Sequence, residues 1–554
     1  MASAITSVLG KTTSQLRVRR SLQDLQDDYD RGNREPLEKL IRAFQGIQAL
    51  PPSDQNSFFV IAGYHGEPFR GPGAQGQTLS WWGGFCHHAS VLFPTWHRAY
   101  VLRLENALRS IAGCEDVVMP FWDETLVVES EEKGKPLNIP VIPSVLTQIT
   151  FPLDGKDIPN PLYSYTFAKG IVDKSVGDGD YTKGQGYTTV RYPLSGLVGP
   201  QDIIQTQDHN NNYKDPVQNT KILNDNVKSW LNGTYKITPD PDDPNKTNTS
   251  YPDTYSVHNR FKRCLDAPSY NIFSNTASQA YWIDQAGQGN QDYYDSLESP
   301  HNAIHLSVGG FYGAGSYDAD AILGANSDMG ENETAAMDPI FFFHHCFIDH
   351  VFWLWQVKNG HETDFSLVED FNDPGLISDG VAGVAQGDVL SLETRLWPFE
   401  YNSSQVTDIE ALGYTYGESS LTPYSKPEEK GGLRAPAINK NLYGLVKVGG
   451  LTRDLISGSF VVDTWAVKGT GLGTKNVLLH SEPILSRWGI QGCMNCQNHL
   501  QLNIFAPVHK DALDGKPEEW TFRSEVRDRN TVGIAKPTLA LHPRGSSKVM
   551  KIKH

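Results

Sequence analysis

No stretch of the 554-residue chain reaches the ~18 uninterrupted apolar residues that a membrane-crossing helix needs, which excludes a helical bilayer span. Positive charge is scarce. With 48 Lys and Arg against 64 Asp and Glu, the formal charge is −16, which argues against nucleic acid or an anionic membrane surface as the main partner. Cysteine is sparse as well: six residues do not make a disulfide framework in a chain of this size, and they suit a reducing compartment. The opening MASAITSVLGKTTSQLRVRR lacks a charged start followed by a continuous apolar stretch, so no secretory signal and a cytoplasmic location are expected. On that expectation the N-x-S/T sequons at Asn232, Asn245, Asn248, Asn332 and Asn402 are chance matches in polar loops.

The length predicts two domains, and 39% hydrophobic residues with 10% aromatics fill two interiors. Residues 36–50 (PLEKLIRAFQGIQAL) carry Leu37, Leu40, Ile41, Phe44 and Ile47 on one helical face. Pro94 opens a second helix, a third runs from about Ser296 to Val308, and Asp338-Pro339 caps a fourth through IFFFHHCFIDHVFWLWQ. Residues 128–290, rich in Gly, Pro, Asn, Asp and Tyr, read as long surface loops. Residues 417–437, with three prolines, a Gly-Gly pair, Lys426, Lys430 and Arg434, read as a linker open to a trypsin-like protease. Beyond it, LYGLVKV, SFVVDTWAV, NVLLH, LQLNIFA, EWTFRS and TLALH alternate with turns, as in an antiparallel sandwich or barrel. The expected fold is therefore a mainly α domain, a four-helix bundle with long loops over 1–416, and a β-rich domain over 438–554. No internal repeat relates the two halves.

The chemistry lies in the distribution of the 17 histidines. One window runs from His65 (AGYHGEP) to FCHHASVLFPTWHRAY, another from SLESPHNAIHLSVGG to DPIFFFHHCFIDHVFWLW. His301 and His305, four apart, stack on one helix face and can share an ion. His345 has Phe341 four residues before and Asp349 four after, the latter placed to orient a ligand imidazole from behind. His88 precedes Pro94 and lies on a loop, His97 lies in the first turn of the helix, and His65 comes from an earlier segment. Imidazole without thiolate or carboxylate suits Cu, Zn, Fe or Ni. A dinuclear hydrolase would be expected to supply carboxylates as ligands or bridges, and neither window offers an obvious one, so two three-histidine sites favour copper with dioxygen. Four helices with inward histidines fit metal sites built inside bundles.

These residues carry a resemblance. C-H-H-x₈-H-R at Cys86–Arg98, H-N-x-x-H at His301–His305 and D-P-I-F-x-x-H-H-C-x-x-D at Asp338–Asp349 resemble type-3 copper proteins, most closely tyrosinases of filamentous ascomycetes, over nearly the whole chain. The resemblance implies one copper on His65, His88 and His97 and a second on His301, His305 and His345, with His87 and His344 outside the ligand set. It implies a covalent link from Cys86 to His88, Phe341 as an aromatic gate above the second copper, and Glu298 with Asn302 as the device that deprotonates a phenol. Tyr414-Thr415-Tyr416 corresponds to the motif that closes the catalytic domain. The activity implied is o-hydroxylation of monophenols and oxidation of o-diphenols to o-quinones with O2, on small phenolic substrates. The C-terminal domain would keep the enzyme latent until a protease cuts the linker, an apolar residue near Ile484 or Leu485 acting as a plug.

Cys493 and Cys496 form a C-x-x-C pair that reads as a soft-ligand copper carrier, a structural metal site or plain thiols, whereas Cys114 and Cys264 read as buried thiols. Two other readings of the whole chain are a catechol or o-aminophenol oxidase with little hydroxylase activity, and a dioxygen carrier. The removable cover argues against the carrier. The sequence is also compatible with a homo-oligomer.

Overall fold

The computed structural model describes residues 16–543 apart from 68–83, 128–140, 173–181, 201, 235–246, 286–291, 312–326, 379, 381–383, 428–429, 436, 457, 471–473, 488–498 and 529–537. The chain begins with β1 (Arg17–Arg19), α1 (Leu22–Asp30), α2 (Glu35–Ala49), α3 (Phe58–Gly63) and α4 (Phe93–Arg109). It continues through α5 (Ser144–Thr147), the hairpin β2 (Thr150–Leu153) and β3 (Lys156–Pro159), α6 (Ile203–Asn210), α7 (Pro216–Asn232) and β4 (Thr247–Ser250). Then come α8 (Val257–Cys264), α9 (Tyr270–Ser274), α10 (Thr276–Gln285), α11 (Glu298–Gly309), α12 (Ile340–Asn359), α13 (Ser403–Val406), β5 (Tyr414–Tyr416) and α14 (Thr422–Ser425).

Local signals account for the helices around the site. In α2 the buried stripe includes Leu37, Leu40, Ile41, Phe44 and Ile47, the face the periodicity predicts. Pro94 sits in the first turn of α4. Asp338 accepts the N–H of Ile340 at the start of α12 and is itself clamped by Arg191 at 2.6 Å. Gly310 and Gly360, both at positive φ, end α11 and α12. Every residue of α11 is buried, and all of α12 up to Gln356 except Trp353, so these two helices form the centre. Among the described residues, no helix is long and apolar enough to cross a membrane.

The expectation of structureless loops over 128–290 does not hold, since α6 to α10 lie there. In α7, Asp215 caps the helix, Pro216 follows, Gly233 closes it, and Leu223, Val227, Trp230 and Leu231 are buried along one side. Asp225 and Lys228 between those positions are exposed, whereas Asn226 is buried and donates to the Ser307 carbonyl at 2.7 Å, and this polar content hides the helical period in composition. Two sequons are structural: Asn332 is buried, and Asn402 forms a capping box with Gln405.

The C-terminal strands are β6 (Leu442–Thr452), β7 (Phe460–Lys468), β8 (Lys475–Ile484), β9 (Gln501–His509), β10 (Thr521–Arg527) and β11 (Thr538–Pro543). They make a three-stranded sheet, β11-β6-β9, and a four-stranded sheet, β10-β7-β8-β4. Val446 and Val448 of one sheet pack in the same core as Val462 and Leu479 of the other, as in a sandwich. Among the described residues no barrel closes. The fourth strand is unexpected: β4 comes from the helical part and pairs parallel with β8, Thr247 opposite Lys475 through Ser250 opposite Leu478.

The two parts share further apolar contacts. Ile283 and Tyr293 cluster with Leu442, Leu445 and Phe505, and Tyr255 with Trp465 and Leu478. The first turns after Tyr416 are packed: Leu421 and Ser425 are buried, and Ser420 donates from its backbone to Asp123 at 2.7 Å. Lys426, Lys430 and Arg434 are exposed.

Candidate metal centre

His65 leaves the C-terminus of α3 through Gly66, where a Cβ would lie 2.6 Å from Glu333 Cα. Only glycine permits that approach, which brings the Asn332 carbonyl to His65 Nδ1 at 3.0 Å. His97 Nδ1 donates to the Phe93 carbonyl of its own helix at 2.8 Å. His88 lies on the loop before α4, half-buried, next to Ala89 at φ 52°, a left-handed conformation that costs a residue with a Cβ about 1 kcal/mol or more. Glu298 holds that conformation by accepting the Ala89 N–H at 2.8 Å. The ring centroids of His65, His88 and His97 form a nearly even triangle, 5.5, 5.5 and 5.7 Å on a side.

The second group is tighter. His305 Nδ1 donates to the Met329 carbonyl at 2.9 Å, and His301 Nδ1 to Asn302 Oδ1 at 3.0 Å. With their Nδ1 protons so fixed, both rings aim Nε2 inward. His301 Nε2 and His305 Nε2 each lie 3.3 Å from His345 Nε2. Two nitrogens each about 2.0–2.1 Å from one ion in tetrahedral arrangement would be about 3.3 Å apart, so the spacing fits an imidazole-bound transition metal. The groups adjoin, the His345 ring stacking on His97 at 4.4 Å.

The Nε2 atoms of His65, His88 and His97 are buried without a hydrogen-bond partner, a costly arrangement unless an ion takes them. Burial pushes His65 down to about 3 and His305 down to about 4, and holds His88, His97, His301 and His345 well below the usual imidazole range, with neighbouring imidazoles adding to the effect. Neutral imidazole is the form that binds metal.

The structure places the remaining predicted residues as follows. Cys86 Sγ lies within 4.8 Å of ligand atoms of His65 and His88, in the buried loop. Glu298 has both oxygens engaged, one by Ala89 and the other by the Thr276 N–H and hydroxyl at 3.0 Å, and burial raises its carboxyl despite those bonds. Asn302 touches the C-terminal domain, its Nδ2 donating to the Pro483 carbonyl at 3.4 Å. Phe341 is fully enclosed, 4.0 Å from His345 and 4.8 Å from His65 by ring centroid, so it packs against ligands of both groups. Cys493 and Cys496 lie outside the described residues.

Asp349 does not orient His345. It accepts from Arg98 and from Arg19 at 3.1 Å, and from the hydroxyls of Tyr414 and Tyr416 at 2.8 and 2.6 Å, while His345 Nδ1 has no partner. One helical turn brings two side chains to the same face but not to the same depth, and two guanidiniums outcompete a neutral imidazole for a buried carboxylate. The tyrosines thereby fasten β5, which pairs parallel with β1, onto the centre of α12.

Sequence reasoning missed Glu124, whose Oε1 lies 2.6 Å from His344 Nδ1, and the carbonyls of Asn332 and Met329, which carry no side-chain signature. It also missed Arg487, which leaves the C-terminal domain to meet Glu333 at 3.0 Å and Glu67 at 3.3 Å, all three buried.

Two adjoining clusters of histidines on and between helices, with no carboxylate in the metal-holding groups among the described residues, fit a paired-metal centre of the type-3 copper kind. Residues 55–358 match the common central domain of tyrosinase. A tyrosinase of Hahella sp. is 42% identical over 98% of this chain and 94% of its own, and a tyrosinase of Aspergillus oryzae is 40% identical over 88% of each. The solved tyrosinase of Burkholderia thailandensis, 42% identical, superposes with a TM-score of 0.77 over 95% of this chain and all of that one. The apo-protyrosinase of Aspergillus oryzae, 18% identical, shares the fold over 98% of this chain with a TM-score of 0.60. The chain belongs to the tyrosinase family, and bacterial members resemble it as strongly as fungal ones.

Proposed function

We propose that the chain holds two copper ions, one on His65, His88 and His97 and one on His301, His305 and His345, and uses O2 to hydroxylate monophenols and oxidise o-diphenols to o-quinones. The observation that supports this most is the convergence of imidazole nitrogens to 3.3 Å with no carboxylate among them. A bound copper pair would supply the oxidising chemistry with dioxygen that side chains lack.

The chain's own residues do the rest. Burial keeps the imidazoles neutral, and the carbonyls of Asn332, Phe93 and Met329 fix their tautomers. A link from Cys86 to His88 would pin a ligand that lies on the loop before α4. A phenol titrates near pKa ~10, so a monophenol needs a base, which Glu298 with Asn302 would provide. The engagement of both Glu298 oxygens by Ala89 and Thr276 favours a second reading, a catechol or o-aminophenol oxidase with little hydroxylase activity.

The C-terminal domain would keep the site latent, and a protease acting at exposed Lys426, Lys430 or Arg434 would activate it. Leu485 belongs to the core cluster of the helical part, whereas Ile484 belongs to the sandwich core, which makes Leu485 the better plug. Cys493 and Cys496 would pass copper inward as soft ligands. Steady-state assays of the copper-loaded chain, before and after limited trypsin treatment, test the proposal. Trimming is expected to release activity on both tyrosine and catechol, with a lag on tyrosine. Turnover of catechol alone would select the second reading, and a trimmed chain with two coppers that produces no quinone would overturn both.

A further inference from the structure

His344 shares the enclosure of the second metal position. Its ring centroid lies 5.1 Å from His301, 5.0 Å from His305 and 4.9 Å from His345. The candidate ligand atoms of these four residues all lie within 4.8 Å of one another. His344 Nε2 is buried without a hydrogen-bond partner, and Nδ1 lies 2.6 Å from the buried carboxyl of Glu124. A carboxylate behind an imidazole is the arrangement that fixes a metal-binding tautomer. His345 has the opposite character: its Nε2 is well placed, but its Nδ1 has nothing to hold it. Helical geometry turns the two side chains about 100° apart, yet His301 and His305 lie across both directions.

We propose that His344, oriented by Glu124, is a fourth imidazole of the second copper position, a reserve ligand that holds the ion when His345 is displaced. This rests on the copper reading above. With the proton shared with Glu124 resting on Nδ1, Nε2 carries none, so a metal would take its free lone pair without displacing a proton. The role is holding metal, and it requires no turnover to detect.

The test is copper content of the full-length chain after dialysis against a weak chelator, with circular dichroism of the apo-forms as a check on folding. His345→Phe is expected to keep both ions and the double variant His344→Phe/His345→Phe only one. Adding Glu124→Gln to His345→Phe should weaken the second ion about 10- to 100-fold in chelator competition, the usual effect of removing a ligand's orienting partner. If His345→Phe alone drops to one ion with its fold intact, the proposal is overturned. Should His345→Phe not fold, His344→Phe in the otherwise unchanged chain is expected to give up copper to the chelator about tenfold faster, and an unchanged rate overturns the proposal. The unmodified chain loads two coppers in either case, so failure here leaves the copper reading standing, whereas an unmodified chain that binds none removes that reading itself.

Discussion

Replacing Arg487 with methionine should open the C-terminal domain without cutting the chain. In the closed molecule the guanidinium lies between Glu333 at 3.0 Å and Glu67 at 3.3 Å, and none of the three side chains reaches solvent. Methionine keeps much of the volume but leaves two carboxylates buried without their shared cation. Breaking such a pair costs about 3–5 kcal/mol, and the cost falls on the docked state alone because undocking returns the carboxylates to water. Converted at about 1.4 kcal/mol per tenfold, the undocked population rises by roughly a hundredfold to several thousandfold. If docking is what withholds the copper pair from phenols, diphenol oxidation by uncut chain rises until it reaches the protease-trimmed level. The assay is quinone formation from catechol by copper-loaded wild type and R487M, each before and after limited trypsin treatment, with copper content measured because Glu67 and Glu333 flank the His65 segment. The ratio of trimmed to untrimmed activity should fall towards one in R487M. A variant with full copper and an unchanged ratio would refute the reasoning, since the ion pair would then not hold the cover.

Other outcomes follow from the same contacts. Asp349→Asn should lower stability by about 3–5 kcal/mol in denaturant unfolding while copper content stays at the wild-type level, because the carboxylate pairs with Arg98 and Arg19 rather than with a ligand. Burial pushes the Asp349 carboxyl up, but Arg98 and Arg19 more than offset it and hold it below the usual range. Its contribution is therefore present above about pH 4 and lost as pH falls through the lower folded value, and the wild-type and variant unfolding curves should converge there. Burial lowers His350 to about 3, so its neutral ring destabilises the fold as pH falls below the unfolded value near ~6.5. The penalty is about 2 kcal/mol at pH 5, and His350→Gln should flatten the stability profile between about pH 6.5 and 3. Cutting at Lys426, Lys430 or Arg434 alone should leave the C-terminal fragment bound, because β4 pairs with β8 and Tyr255 packs on Trp465 and Leu478, so full release of activity requires further digestion of the fragment. Gel filtration of nicked protein should show one peak holding both fragments, and spontaneous separation in plain buffer would contradict the shared sheet.

The helices and strands that frame the site were legible because each carries a short-range signal: a proline in the first turn of α4, glycine after α11 and α12, an apolar stripe on α2, short apolar runs bounded by turns in β7 and β8. The six histidines that the structure brings together were legible through spacing and family motifs together. The Asp349 reading failed because helical spacing gives direction without revealing competitors, and Arg19 and Arg98 come from far away in sequence.

The sequence by itself determined the donor chemistry, histidines gathered in two windows, and the local elements that present it. Only the tertiary structure decided which backbone carbonyls fix the rings, that Glu124 stands behind His344, and that Arg487 and β4 tie the two halves together. The physical reason is range. Caps, turns and hydrophobic periods are properties of neighbouring residues, whereas a carbonyl carries no residue-type signature, and a buried ion pair between residues 67 and 487 is specified only once both surfaces have folded and met.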